Sequence, residues 1–154
     1  MGSQAGRPFI CLIMIAMLLF VGVGGFVSGV LLLLSTDGRL MGMSVDILAN
    51  SPFEDYLIPA IILLIFLGIL PIIAGYGLMK LPRWKWAENL NLFKSYRWPW
   101  MASILSGVVI LGWLAVETIL YGYISFLQPV MAVWAAIIIL VAFLPGVRSY
   151  LHTV

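Results

Sequence analysis

The chain has 154 residues, of which 64% are hydrophobic and 9% charged, and its formal net charge is +2. An average soluble domain is about 45–50% apolar and about 25% charged, and a globule of this size has too little interior to hide the excess. The composition therefore excludes a water-soluble domain, and with it the contiguous basic surface that a nucleic-acid partner needs.

Four apolar stretches approach or exceed a span of about 30 Å of hydrocarbon at about 1.5 Å per residue. They run from about 9 to 34, 56 to 79, 99 to 127 and 130 to 147. This predicts an all-α membrane protein, one four-transmembrane-helix bundle occupying 1–154. The first stretch is uncharged, too long for a signal peptide, and ends in Leu-Leu-Leu-Leu-Ser-Thr-Asp rather than at a small-residue cleavage site. It is read as a retained helix. Within it Gly24 and Ser28, and Gly25 and Gly29, are small residues four apart, the spacing that lets two helix backbones approach closely. A homodimer face is one reading; packing inside the same bundle is preferred, because four helices need internal close contacts first.

The loop from about 35 to 51 carries the turn signal Asp37-Gly38. Met43, Ile47 and Leu48 have the spacing of a short amphipathic turn able to lie over the bundle mouth. Ser51-Pro52-Phe53-Glu54 reads as a helix start, with Ser51 as N-cap, Pro52 at the first helical position and Glu54 closing a capping box. Asp55 adds charge where the helix dipole favours it. In the second stretch Pro71 removes one backbone donor, and a kink is expected there.

The loop from Lys80 to Trp98 places Trp86, Leu90 and Phe93 on one helical face. With Trp84, Trp86, Trp98 and Trp100 forming an aromatic belt, and with basic residues near anionic headgroups, it predicts a short interfacial helix. Membrane lipids are the expected partners; a membrane-protein partner is the secondary reading. If four helices cross, Arg7, Lys80, Arg83, Lys85, Lys94, Arg97 and Arg148 share one side, seven of the eight basic residues. Arg39 then faces the other side with Asp37, Asp46, Glu54 and Asp55. The positive-inside rule puts both termini in the cytoplasm.

Glu117 is the one charge within the four stretches. Intramembrane acids are costly and usually mark a site. It lies eleven residues before Gln128, roughly 16 Å along a helix, which places it near the midplane, or in the outer half if the helix end protrudes. No Lys, Arg or His lies in any stretch to pair with it. Gly22–Gly25 fall at the same depth on the first helix, where a backbone carbonyl is a candidate partner. Ser106, Trp113, Glu117, Tyr121 and Gln128 fall within about 40° of one face, a polar-aromatic stripe. Glu117 with Trp113 and Tyr121 is thus the candidate ligand-binding or proton site, set against a role as a helix-to-helix hydrogen bond.

Ser35-Thr-Asp-Gly-Arg-Leu-Met-Gly-Met, then Leu48-Ala-Asn-Ser-Pro-Phe-Glu-Asp-Tyr-Leu-Ile-Pro59, resembles a pattern in small uncharacterised bacterial four-helix integral membrane proteins. Glu117-Thr-Ile-Leu-Tyr-Gly-Tyr-Ile-Ser-Phe-Leu-Gln-Pro129 is similar to the end of the third helix in the same group. The resemblance implies the four-helix topology and a bacterial inner membrane; the group has no activity to carry over. Small multidrug transporters also have four helices and a membrane glutamate, but theirs lies in the first helix. Quinone-linked disulfide-forming enzymes need paired cysteines, and Cys11 is alone.

The leading expectation is a non-enzymatic protein, an accessory subunit or a binder of a lipid or other apolar small molecule, anchored at Glu117. The alternative is a proton-coupled small-molecule transporter, acting as a homodimer through Glu117. An intramembrane enzyme is least expected, since it needs a nucleophile with a base or a metal centre. With a lone Cys11 and a lone His152, no cofactor and no metal is expected.

Overall fold

The computed structural model describes residues 6–153. Among them the fold is all-helical and contains no strand. Its helices are α1 (Phe9–Leu34), α2 (Leu57–Lys80), α3 (Lys85–Leu90), α4 (Trp98–Tyr121), α5 (Leu127–Ala142) and α6 (Pro145–Leu151). Two short 3-10 turns, Arg39–Met41 and Val45–Leu48, lie between α1 and α2. By length and composition α1, α2 and α4 can each cross a membrane, and α5 with α6 makes a fourth candidate span bent by 60°. Three to four such helices are the frame of an integral membrane protein.

The fourth stretch is not one straight helix, for a local reason. Pro145 disfavours helical geometry in the residue before it, and Leu144 is extended, with φ −64° and ψ 143°. The chain therefore turns there. α5 alone has 16 residues, about 24 Å, short of a full hydrocarbon thickness. The Ala142 carbonyl left at its end accepts the Trp100 indole N–H at 2.8 Å.

In α2 the kink expected at Pro71 takes another form. Proline has no N–H to give the Leu67 carbonyl four residues back. The ladder widens into a π-helical segment over Leu63–Ile69 and then continues to Lys80 as one span. α1 lies directly on this segment. A Cβ at Gly25 would collide with the Leu67 carbonyl, and one at Gly22 or Gly29 would sit 2.6 Å from Ile72 or 2.9 Å from Leu64. Close backbone approach of this kind supplies dispersion contacts where lipid gives no hydrophobic drive between helices. Gly25 and Gly29 thus pack within the chain, whereas a Cβ at Gly24 would meet nothing within 4 Å.

α2 also begins later than its sequence suggests. Ser51 is not the N-cap: its hydroxyl donates to the Leu48 carbonyl at 2.8 Å and accepts the Phe53 amide at 3.2 Å, closing a turn. The first helical residue is Leu57, whose amide is taken by the Asp55 carboxylate at 3.0 Å. The capping work falls to Asp55, and the Ser51–Glu54 box does not form. Tyr56, buried, ties the loop down: its amide donates to the Thr36 carbonyl at 2.9 Å and its hydroxyl to Ser44 at 2.7 Å. Leu48 is buried with it, as the amphipathic turn implied.

At the opposite end Trp98 and Trp100 are buried rather than turned outward, and the Trp98 indole donates to the Pro82 carbonyl at 3.0 Å. Trp84 stacks between Tyr76 and Trp98 at 5.6 and 5.2 Å, while Trp86 is exposed. The C-terminal segment closes over this end: the Arg97 amide donates to Leu151 at 2.8 Å and the Thr153 amide to Ser95 at 2.9 Å. The Arg7 guanidinium donates to the Met79 carbonyl. The N-terminal residues, the 80–98 loop and the C-terminal segment therefore share one end, the inner end below; the 35–56 loop forms the outer end.

Candidate functional site

α4 stops at Tyr121 because Gly122 takes φ +74°, a backbone region that side chains disfavour, with its amide closing on Thr118 at 3.0 Å. The third stretch is thus six residues shorter as a helix than its apolar length suggests. Glu117 consequently lies only one turn, about 6 Å, from the outer end of α4. Of the two depths expected, it takes the one in the outer half of the span.

The expected stripe is partly dismantled by this ending. Ser106 is buried and donates back to the Ala102 carbonyl at 2.8 Å, so it is satisfied within its own helix. Gln128 belongs to α5, where its side-chain oxygen accepts the Ile124 amide at 2.9 Å and its nitrogen donates to Gly122 at 3.3 Å. It braces the α4–α5 turn. Trp113, Glu117 and Tyr121 remain together on successive turns of α4.

Glu117 is half-buried, and its Oε1 accepts the Trp113 indole N–H at 2.8 Å. The backbone-carbonyl partner expected from the glycines of α1 is not what it meets. One turn further on, the Tyr121 hydroxyl is buried and has no hydrogen-bond partner among the described residues. An unmet buried polar group costs about 1–3 kcal/mol, so this hydroxyl is where an additional partner would gain most.

All three side chains line a cavity of about 720 Å³ in the outer half of the bundle. That volume lies within the roughly 300–1,000 Å³ of small-molecule sites. Its walls come from α1, α2, α4 and the start of α5, with Met41 and Met43 of the outer loop over it. Gly24, Gly25 and Ser28 border it; of these Gly25 also makes the close contact with α2, whereas Gly24 has open space beside it. Glu117 is the one charged side chain in a lining that is otherwise mostly apolar, and no Lys, Arg or His is part of it.

The cavity reaches the flank of the bundle between α1 and α5, where its lining includes the exposed Val23 and Leu127. Further inward the same two helices are closed by Phe20 against Trp134, with ring centroids 5.1 Å apart.

Tyr56, Met41 and Met131 also border this space and were not singled out from sequence. Their signal is weak in a chain so rich in apolar residues. The Gly122 stop is the feature that would have pointed to them, because it brings α5 back beside Glu117. The chain matches no protein-family model, no curated protein and no solved structure, so the site is read from its own residues alone.

Proposed function

We propose that this is a non-enzymatic integral membrane protein that holds one lipid or other apolar small molecule in the outer cavity. Glu117 is its polar anchor, with Trp113 and Tyr121 beside it. The observation that carries this reading is the single carboxyl group set in the wall of an apolar, laterally open cavity of ligand size. Trp113 occupies one carboxyl oxygen and orients the group. The other oxygen is then left for a hydroxyl or amine on the ligand head. An apolar ligand enters from the bilayer between α1 and α5 without crossing water.

In this reading α1, α2, α4 and the bent α5–α6 pair form a four-helix transmembrane bundle. α3 lies in the membrane interface. The basic inner end faces the cytoplasm, as the positive-inside rule requires, and the membrane is a bacterial inner membrane.

The test uses the intact protein in detergent, with monoolein as an uncharged lipid bearing hydroxyl donors and with retention read by native mass spectrometry. Glu117→Gln should weaken retention roughly tenfold, the worth of one hydrogen bond, and leave the melting temperature unchanged. A variant that retains monoolein as well as the parent, or that only melts earlier, overturns the reading in favour of a structural hydrogen bond.

A further inference from the structure

At the inner end three cations from separate parts of the chain meet around one concavity of about 390 Å³. Arg83 comes from the turn after α2, Lys85 from the first residue of α3, and Arg97 from the residue before α4. The Thr153 hydroxyl and Asn89 are also at its edge, and Glu88 is the one acid in its lining. None of the three cationic groups makes an ion pair among the described residues; the one ion pair there is Arg39 with Asp37, at the other end of the molecule. Glu88 makes only a weak contact, at 3.5 Å, with the Asn91 amide. With three cations and one acid in its lining, the concavity carries a net positive charge.

Its position is fixed by packing rather than by loop chance. Arg97 is held by the hydrogen bond that its backbone N–H donates to the Leu151 carbonyl, and Arg83 follows Pro82, whose carbonyl accepts the N–H of the buried Trp98 indole. Ala87 anchors α3 to the bundle, being buried. The same segment turns its apolar side chains outward: Leu92 is 83% exposed, Leu90 65% and Trp86 56%. Side chains of this size are stable in such positions when they enter the acyl region of a bilayer. That places the cations beside them at the level of the lipid phosphates.

We infer that Arg83, Lys85 and Arg97 form a binding site for the phosphate of an anionic membrane lipid, whose acyl chains lie along Trp86, Leu90 and Leu92. This site is separate from the outer cavity and independent of what that cavity holds. Guanidinium groups pair with phosphate in two-pronged fashion, and the ammonium adds a point charge. The apolar neighbours make the site selective for a lipid over a free anion, because a small anion gains nothing from the buried acyl surface.

The experiment measures binding of phosphatidylglycerol, against phosphatidylcholine, to the full chain in detergent by native mass spectrometry. Two pairs of substitutions remove equal charge: Arg83→Gln with Lys85→Gln at the site, and Lys80→Gln with Lys94→Gln elsewhere on the same end. The site pair should lose roughly 30-fold in phosphatidylglycerol affinity, the control pair less than about threefold, and phosphatidylcholine binding should not change. Both pairs leave buried residues untouched, and an unchanged melting temperature verifies the fold. Equal losses in the two pairs would show diffuse attraction and overturn the site, as would no loss in either. Displacement of the lipid by millimolar inorganic phosphate would overturn the lipid as its occupant.

Discussion

At the inner end Trp98 and Trp100 are buried and each gives its indole N–H to a backbone carbonyl, whereas at the outer end the Tyr121 hydroxyl is buried without a partner. A Cβ on Gly77, at the inner end, would collide with the Trp98 ring and sit 2.9 Å from Pro99, while one on Gly24 would meet nothing within 4 Å. The tryptophan cluster of the inner end is packed and satisfied; the outer end keeps space and one unmet buried polar group. The difference separates holding the bundle together from receiving something.

The comparison is broken most severely by filling the contact that α1 makes with the π-helical segment of α2. Gly25→Ala drives a methyl group into the Leu67 carbonyl, and backbone cannot step aside as a side-chain tip can. It should cost near the top of the usual overpacking range of about 1–3 kcal/mol, read from unfolding in mixed micelles. Trp100→Phe comes next: it keeps the ring but strands the Ala142 carbonyl at the α5–α6 bend, roughly 1–2 kcal/mol by the same measurement. Tyr56→Phe removes the hydroxyl bond to Ser44 that fastens the outer loop and should cost about 1 kcal/mol. Gly24→Ala, one residue from the worst of these substitutions, should change stability by less than about 0.5 kcal/mol. A large loss there would mean that the outer space is not open.

The smallest effect concerns acid. Bonds from the Ser35 hydroxyl and then the Arg39 amide hold the Asp37 carboxyl below the usual aspartate range. A depressed folded pKa contributes stability that is complete above the unfolded value and is lost as the pH falls through the folded one. The turn that begins the outer loop should therefore loosen only at strongly acid pH, seen as a shift of the Gly38 amide resonance in an NMR titration. Asp37→Asn should remove that acid-dependent shift and leave the inner end unaltered.

Much of the architecture is legible in the sequence because it depends on composition and spacing. The apolar run that forms α1 is unbroken, and its observed ends, Phe9 and Leu34, are those expected. Boundaries set by one residue's backbone are harder to read. Apolar composition continues through Gly122 as if the helix did, yet the positive φ there ends α4 six residues early and moves Glu117 towards the outer end. Likewise Ser51-Pro52-Phe53-Glu54 satisfies every local rule for a helix start, and the tertiary bonds of Tyr56 to Thr36 and Ser44 take precedence.

The candidate site shows the same division. Scarcity of charge singles out Glu117, and helical spacing supplies Trp113 and Tyr121. The cavity itself depends on how α5 returns beside α4 and on Gly24 facing away from α2, which no periodicity reveals. The tryptophans of the inner end were expected as a belt from their number and their basic neighbours. Two of the four, Trp98 and Trp100, have backbone carbonyls within reach and are buried instead.

If the outer cavity holds an apolar ligand and is not merely a packing defect, filling it should expel that ligand and leave the fold intact. Gly24→Trp projects an indole into space where the backbone already has room. The account predicts that this variant melts at the same temperature as the parent in detergent while retaining at least tenfold less monoolein by native mass spectrometry. Undiminished monoolein retention with the cavity filled would contradict it.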